Sequence, residues 1–191
     1  YDAGFTKRRD LTGTGAGSGL EMACWDILGK DRDRPVHALI GGRRNDRIRA
    51  YTYLYPRPSH PLPEFWASPD MAAEVATDMV ALGYTAVKFD PAGPYTIRGG
   101  HMPSLHDISL SVAFCKAIRE AVGDKVDLLF GTHGQFSTGG AIRLGKALEP
   151  YSPLWYEEPT PPDNINEMAK VAGAVSIPVA TGERLTTKAE F

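Results

Sequence analysis

From Ala50 onward the chain switches repeatedly between a short β-favouring run and an amphipathic helical stretch, and few folds accommodate that rhythm. Residues 50–55 (Ala-Tyr-Thr-Tyr-Leu-Tyr) are rich in aromatic and β-favouring side chains and end at Pro56 and Pro58, which reads as a first strand. Residues 70–82 space Met71, Ala72, Val75, Met79, Val80 and Leu82 at helical intervals, with Asp70 as the expected cap and Gly83 as the stop. The alternation then runs on: strand 84–89, a Pro- and Gly-rich insertion over 91–105, helix 107–122, strand 126–132, helix 138–148, strand 154–158, helix 165–172 and strand 179–183. Strands joined by helical crossovers imply an α/β fold with a parallel sheet, either doubly wound or closing as a barrel. Periodicity alone does not choose between them.

Before Ala50 the pattern is helical. Residues 1–17 are polar and Gly-rich and read as a loop, and Ser18 is the expected cap of a helix over 19–30. Pro35 opens a shorter helix that ends near Ile40 at Gly41-Gly42, and a charged link from Arg43 to Arg49 leads into the strand region. The first residue, Tyr1, is not a methionine, and Phe191 falls where a helix opens, so both ends read as cut.

The 21 Lys and Arg residues against 23 Asp and Glu give a formal net charge of -2, which offers nothing to a nucleic-acid backbone or an anionic membrane. No apolar run approaches the ~20 residues of a membrane span. Cys24 and Cys115 each lie in an apolar stretch at helical spacing, and so read as two buried thiols in a reducing, cytoplasmic setting.

The polar residues that look out of place cluster at the carboxyl ends of successive strands. Lys88 and Asp90 close one, His133 lies just past the next, Glu157 and Glu158 end the third, and Glu183-Arg184 end the fourth. In a parallel barrel those ends line one mouth. Gly131 to Glu157 and Glu157 to Glu183 are each 26 residues, about one βα unit, which suggests equivalent positions facing one cavity. Glu157 and Glu183 are hard oxygen donors of the kind Mg²⁺ prefers. Lys88 is a candidate base, and His133 a candidate acid that protonates a leaving hydroxyl. Taken singly each group has a plainer reading: a solvated lysine, a helix-capping glutamate, a paired surface carboxylate, a turn histidine. Four such groups at the same place in four consecutive units outweigh those separate readings.

The run Leu154-Trp-Tyr-Glu-Glu-Pro159, followed by Ile177-Pro-Val-Ala-Thr-Gly-Glu-Arg184, closely resembles the paired metal-ligand strands of the mandelate racemase/muconate lactonizing enzyme subgroup of the enolase superfamily. Upstream, Gly19-Leu-Glu-Met-Ala-Cys-Trp-Asp-Ile-Leu-Gly-Lys30 and Pro35-Val-His-Ala-Leu-Ile-Gly-Gly42 resemble the helical part of that family's capping domain. The resemblance implies a partial (β/α) TIM-type barrel with the helical part of an α+β capping domain, residues 1–49 belonging to the cap and 50–191 to about five βα units. The cap's N-terminal sheet and the last barrel strands are then absent, and the 191-residue piece alone is expected to be inactive.

Carried over position by position, the resemblance makes Glu157 and Glu183 ligands of Mg²⁺, or of Mn²⁺. It makes Lys88 the base or a group near the substrate carboxylate, and His133 the acid of the sugar-acid dehydratase branch. Asp90 stands where many members carry a second lysine, which argues against a paired-lysine racemase and makes Asp90 a candidate catalytic group. Gly131 departs from the pattern, because the family places a metal-binding Asp or Glu there. Water, His133 or Asp90 fills the gap, or metal binding is weak or lost. The implied activity is dehydration of an aldonate-type sugar acid; a cycloisomerase or racemase working through the same enolate, and a non-catalytic remnant, stand as alternatives. The implied partners are a small carboxylate substrate and further copies of the chain in a homo-oligomer. His101, His106, Tyr95 and Arg98 in the insertion, and Lys7, Arg8 and Arg9 near the start, are lesser candidates for the mouth.

Overall fold

The computed structural model describes residues 11–91 and 100–191. They fall into two compact units, residues 50–181 and a smaller unit made of the residues up to Arg49 together with 182–191. The larger unit is built on one five-stranded parallel sheet of β1 (Thr52–Tyr53), β2 (Ala86–Phe89), β3 (Asp127–Gly131), β4 (Trp155–Glu157) and β5 (Val179–Ala180). Their order across the sheet is their order along the chain. That order separates the two folds left open above. A doubly wound sheet reverses direction at a switch point, whereas here every crossover adds the next strand on the same side, as in a barrel.

Right-handed crossovers that all step one way put the helices on one face. Those helices are α4 (Pro69–Ala81), α5 (Leu105–Val122), α6 (Thr138–Leu148) and α7 (Ile165–Ala174), each packed against the next, preceded by the short α3 (Leu62–Phe65). Side chains alternate along a strand. Val87, Phe89, Leu128, Phe130 and Tyr156 therefore point to the helices, where they join Val75, Phe114, Ile118, Leu144 and Val171 in one buried core. Each such side chain, fully removed from water, contributes about 1.5–3 kcal/mol. The same alternation leaves Lys88, Leu129, Gly131, Trp155 and Glu157 on the opposite face.

Local chemistry sets the helix ends. Ser68, not Asp70, caps α4, its hydroxyl accepting from the Met71 amide at 3.3 Å. Asp70 lies in the first turn instead, where its charge still favours the positive end of the helix. Ser104 caps α5 in a reciprocal box with Asp107, so the helix opens at Leu105 rather than 107. Past its end, Arg119 donates to the carbonyls of Gly123 and Val126, both at 2.7 Å, and of Tyr151 at 3.0 Å. One guanidinium thus ties together the two loops that feed β3 and β4. Gly83, at φ +99°, supplies the left-handed turn between α4 and β2.

In the smaller unit, α1 spans Leu11–Asp31 and α2 Val36–Leu39. The loop expected up to residue 17 is therefore helical from Leu11, and Ser18 lies inside the helix rather than capping it. Glycine disfavours a helix by about 1 kcal/mol per residue, but a helix nucleated on the better-forming turns that follow propagates through such positions. Cys24 is exposed, against expectation, because its helix face, shared with Leu20 and Ile27, is itself exposed. Cys115 is buried in the larger unit, where desolvation pushes its thiol pKa up against a smaller opposing pull from Arg119. Both thiols are free. Among the described residues no helix is long and apolar enough to cross a membrane.

Candidate active site

Lys88 is only 6% exposed, which rules out the solvated surface lysine. Its Nζ lies 2.7 Å from each carboxylate oxygen of Glu157, and the Trp155 indole donates to Glu157 Oε2 at 3.1 Å. The rings of Tyr51 and Tyr53 stand 5.9 and 5.8 Å from the same ammonium, within range of a cation–π attraction. Tyr51 also packs edge-on against Trp155. A buried charge needs such partners, since an isolated ammonium out of water costs several kcal/mol.

Strand register explains the reach. Lys88 is level with Tyr53 and Leu129, while Glu157 is level with Gly131 and Ala180. To meet Glu157 the lysine side chain climbs one layer and crosses the strand between them at Gly131. A Cβ added there would lie 2.9 Å from Lys88 Cε, 3.6 Å from His133 Cε1 and 3.6 Å from the Tyr53 hydroxyl. Gly131 is not among the glycines with positive φ. It therefore serves to make space, and its backbone conformation is open to other residues.

Just beyond β3, His133 sits at φ +52°, a conformation that a non-glycine residue holds only when its surroundings impose it. They do so through Thr132, whose hydroxyl donates to the carbonyls of Glu157 at 2.7 Å and Glu158 at 3.0 Å, and through Gly134, whose amide donates to the Glu158 carbonyl at 2.6 Å. Glu158 itself stands at φ +44°. Its carboxylate is buried and accepts from the Thr181 hydroxyl at 3.4 Å. His133 Nδ1 lies 3.7 Å from Asp90 Oδ2, with the imidazole 39% exposed and the carboxylate 4% exposed. That is too long for a hydrogen bond but within the range of an electrostatic contact. Asp90 acts on a second neighbour as well: burial foremost, and then the Asp90 charge, raise the Tyr156 phenol far above its ordinary pKa.

Lys88, His133 and Glu157 are thus gathered around Gly131, with Asp90 beside His133. Glu183 is not at a strand tip: β5 ends at Ala180, which is the residue opposite Glu157, and Glu183 lies in the segment, beginning at Gly182, that groups with the smaller unit. The 26-residue spacing carried into register between Gly131 and Glu157, which are paired, but not between Glu157 and Glu183, because the chain leaves the ladder before Glu183. His101 plays a structural part, its amide and carbonyl bonded to Gln135 and Ser137 and its ring packed on Phe136. His106 lies in the first turn of α5. Tyr95, Arg98, Lys7, Arg8 and Arg9 lie outside the described residues. Tyr51, Tyr53 and Trp155 went unnoticed in the sequence, although their period-two spacing from Lys88 and Glu157 across the register was the signal that would have found them.

No three His, Cys, Asp or Glu side chains among the described residues cluster as metal ligands. Gly131 offers no donor, and both oxygens of Glu157 are held by Lys88.

Residues 70–191 match the sequence model described as Enolase C-terminal domain-like. The chain belongs to that family. Of solved structures, a mandelate racemase/muconate lactonizing enzyme from Sulfitobacter sp. is 76% identical over the whole chain and 48% of its own, with a TM-score of 0.95, which places this member of the enolase superfamily in the mandelate racemase/muconate lactonizing enzyme subgroup. It also shows the fold to be part of a TIM-type barrel. Among curated relatives, D-gluconate/D-galactonate dehydratase of Picrophilus torridus is 36% identical across 100% of this chain and 46% of its own length. D-xylonate dehydratase of Haloferax volcanii is 36% identical across 90% of this chain and 41% of its own. The chain spans a little under half the length of these curated relatives.

Proposed function

We propose that this chain carries part of the active site of a sugar-acid dehydratase, a hydro-lyase that removes the proton next to a substrate carboxylate and expels a hydroxyl from the neighbouring carbon as water. The observation that carries the reading is the convergence of Lys88 and His133 on Gly131, at 2.9 and 3.6 Å from the point where a Cβ would stand. Two proton-transfer groups from adjacent strands then address one small volume. Lys88 passes its proton to Glu157, 2.7 Å away, and as the free amine takes the α-proton, so that the ammonium re-formed steadies the enolate; the electron pair left on carbon forms the double bond as the C–O bond breaks. His133 hands a proton to the departing hydroxyl, with the Asp90 carboxylate 3.7 Å from its Nδ1. The relatives named as dehydratases of gluconate, galactonate and xylonate support this class of substrate.

The family resemblance implies Mg²⁺, or Mn²⁺, with Glu157 and Glu183 as ligands; in this chain we propose that such binding is weakened. Residues 1–49 as the helical portion of a capping domain, 50–191 as the first five βα units, a cytoplasmic setting and a homo-oligomeric whole protein belong to the same proposal. A non-catalytic remnant is favoured as the second reading by Gly131 and by the absence of a ligand cluster among the described residues. The test is incubation of the purified whole protein, since the 191-residue piece alone is expected to be inactive, with a panel of aldonic and uronic acids, with keto-deoxy acid products followed by NMR. Turnover of at least one acid, abolished in His133→Asn, supports dehydration. Consumption of none of them supports the remnant.

A further inference from the structure

We propose that Lys88 is the resident cation of this site: admitted by Gly131, its ammonium holds Glu157 in the place a divalent ion would otherwise take. Three observations converge on this. First, Gly131 is not required by the backbone, since its φ is not in the left-handed region; what the missing side chain provides is a passage for Lys88, whose Cε would lie 2.9 Å from any Cβ there. Second, the ammonium engages both Glu157 oxygens at 2.7 Å, the bidentate capture that a metal would need for itself. Third, the lysine is hard to displace. One carboxylate and one ammonium face each other across β3, and a divalent ion binding Glu157 would have to expel a lysine that is 6% exposed and walled by Tyr51 and Tyr53. An ammonium left there without its counter-charge is strongly unfavourable.

The same geometry says what would reverse the exchange. Gly131 and Glu157 are directly paired across adjacent strands, where like charges repel. An aspartate at 131 would both push Lys88 off its path and set a second carboxylate beside the first. Two anions at that spacing demand more positive charge than one ammonium carries, and a hard divalent cation supplies it.

The experiment is a Mn²⁺ titration of the full chain, read by loss of the free-ion electron paramagnetic resonance signal and by calorimetry. The wild type, Gly131→Asp and Lys88→Met are compared, with thermal unfolding to confirm that each is folded. The wild type is expected to leave the signal of millimolar Mn²⁺ essentially free. Gly131→Asp is expected to bind one ion per chain at least about tenfold more tightly, and to lose that gain when Glu157→Gln is added. Lys88→Met, which releases Glu157 without adding a ligand, is expected to bind more tightly than wild type and carries the test if Gly131→Asp does not fold. Stoichiometric micromolar binding by the wild type that Glu157→Gln abolishes would overturn the proposal, as would failure of both variants to gain affinity. The readout is binding, so an absence of dehydratase turnover counts against the proposed activity and leaves this inference standing.

Discussion

Replacing Lys88 by Met keeps much of the side-chain volume and removes only the charge, so its effect isolates the ion pair with Glu157. Across 2.7 Å the gross Coulomb attraction at an effective dielectric of about 20 is roughly 6 kcal/mol. Most of that offsets the cost of taking both groups out of water, for the two side chains are only 8% and 16% exposed. Removing one partner of a buried pair costs about 3–5 kcal/mol. The Trp155 indole still donates to Glu157 in the variant, which places Lys88→Met near the lower end, about 3 kcal/mol. Glu157→Gln should cost a similar amount by stranding the ammonium. The double variant leaves neither member of the pair charged, so its loss should fall short of the sum of the two by about 2 kcal/mol. Urea unfolding followed by tryptophan fluorescence gives all four free energies. A coupling below about 0.5 kcal/mol, the level of exposed surface pairs, would refute both the burial argument and the role of Lys88 as a resident cation.

At pH 8 an alkylating reagent should modify Cys24 alone in the native protein and both cysteines in urea, as counted by mass spectrometry, because Cys115 is buried with a raised pKa. The sign of the linked stability follows: the folded state keeps the Cys115 proton longer than the unfolded chain, so stability is fully present below the ordinary thiol pKa and declines as pH rises through the folded value; Cys115→Ala should flatten that decline in alkaline unfolding curves. Gly140→Ala should destabilise by about 1–3 kcal/mol despite its better helix propensity, since the new Cβ would stand 2.7 Å from the Pro103 ring and 3.0 Å from the His101 carbonyl; a raised midpoint in thermal unfolding would contradict this. Arg119→Ala should cost about 2–3 kcal/mol, because it strips donors from the carbonyls of Gly123, Val126 and Tyr151, while Arg119→Lys recovers only part of that in the same assay.

The order of elements and the parallel sheet were legible in the sequence, because each depends on local patterning: short apolar runs for β2 and β3, helical spacing for α4 and α6, and glycine stops such as Gly83. The strand-end placement of Lys88, His133 and Glu157 was legible for the same reason, and the absence of a side chain at Gly131 could be read off a single position. What only the tertiary structure decided depends on contacts between distant segments. The one-way strand order selects the barrel arrangement, and no local pattern encodes which edge a crossover returns to. Register places Ala180, not Glu183, opposite Glu157, which spacing counted along the chain does not predict once a strand ends early. The exposure of Cys24 was hidden because helical spacing identifies a face but not whether anything covers it. And the union of Lys88 with Glu157 over Gly131 joins residues from three strands, so the reason for that glycine lies in the space between side chains, which appears only when the sheet is assembled.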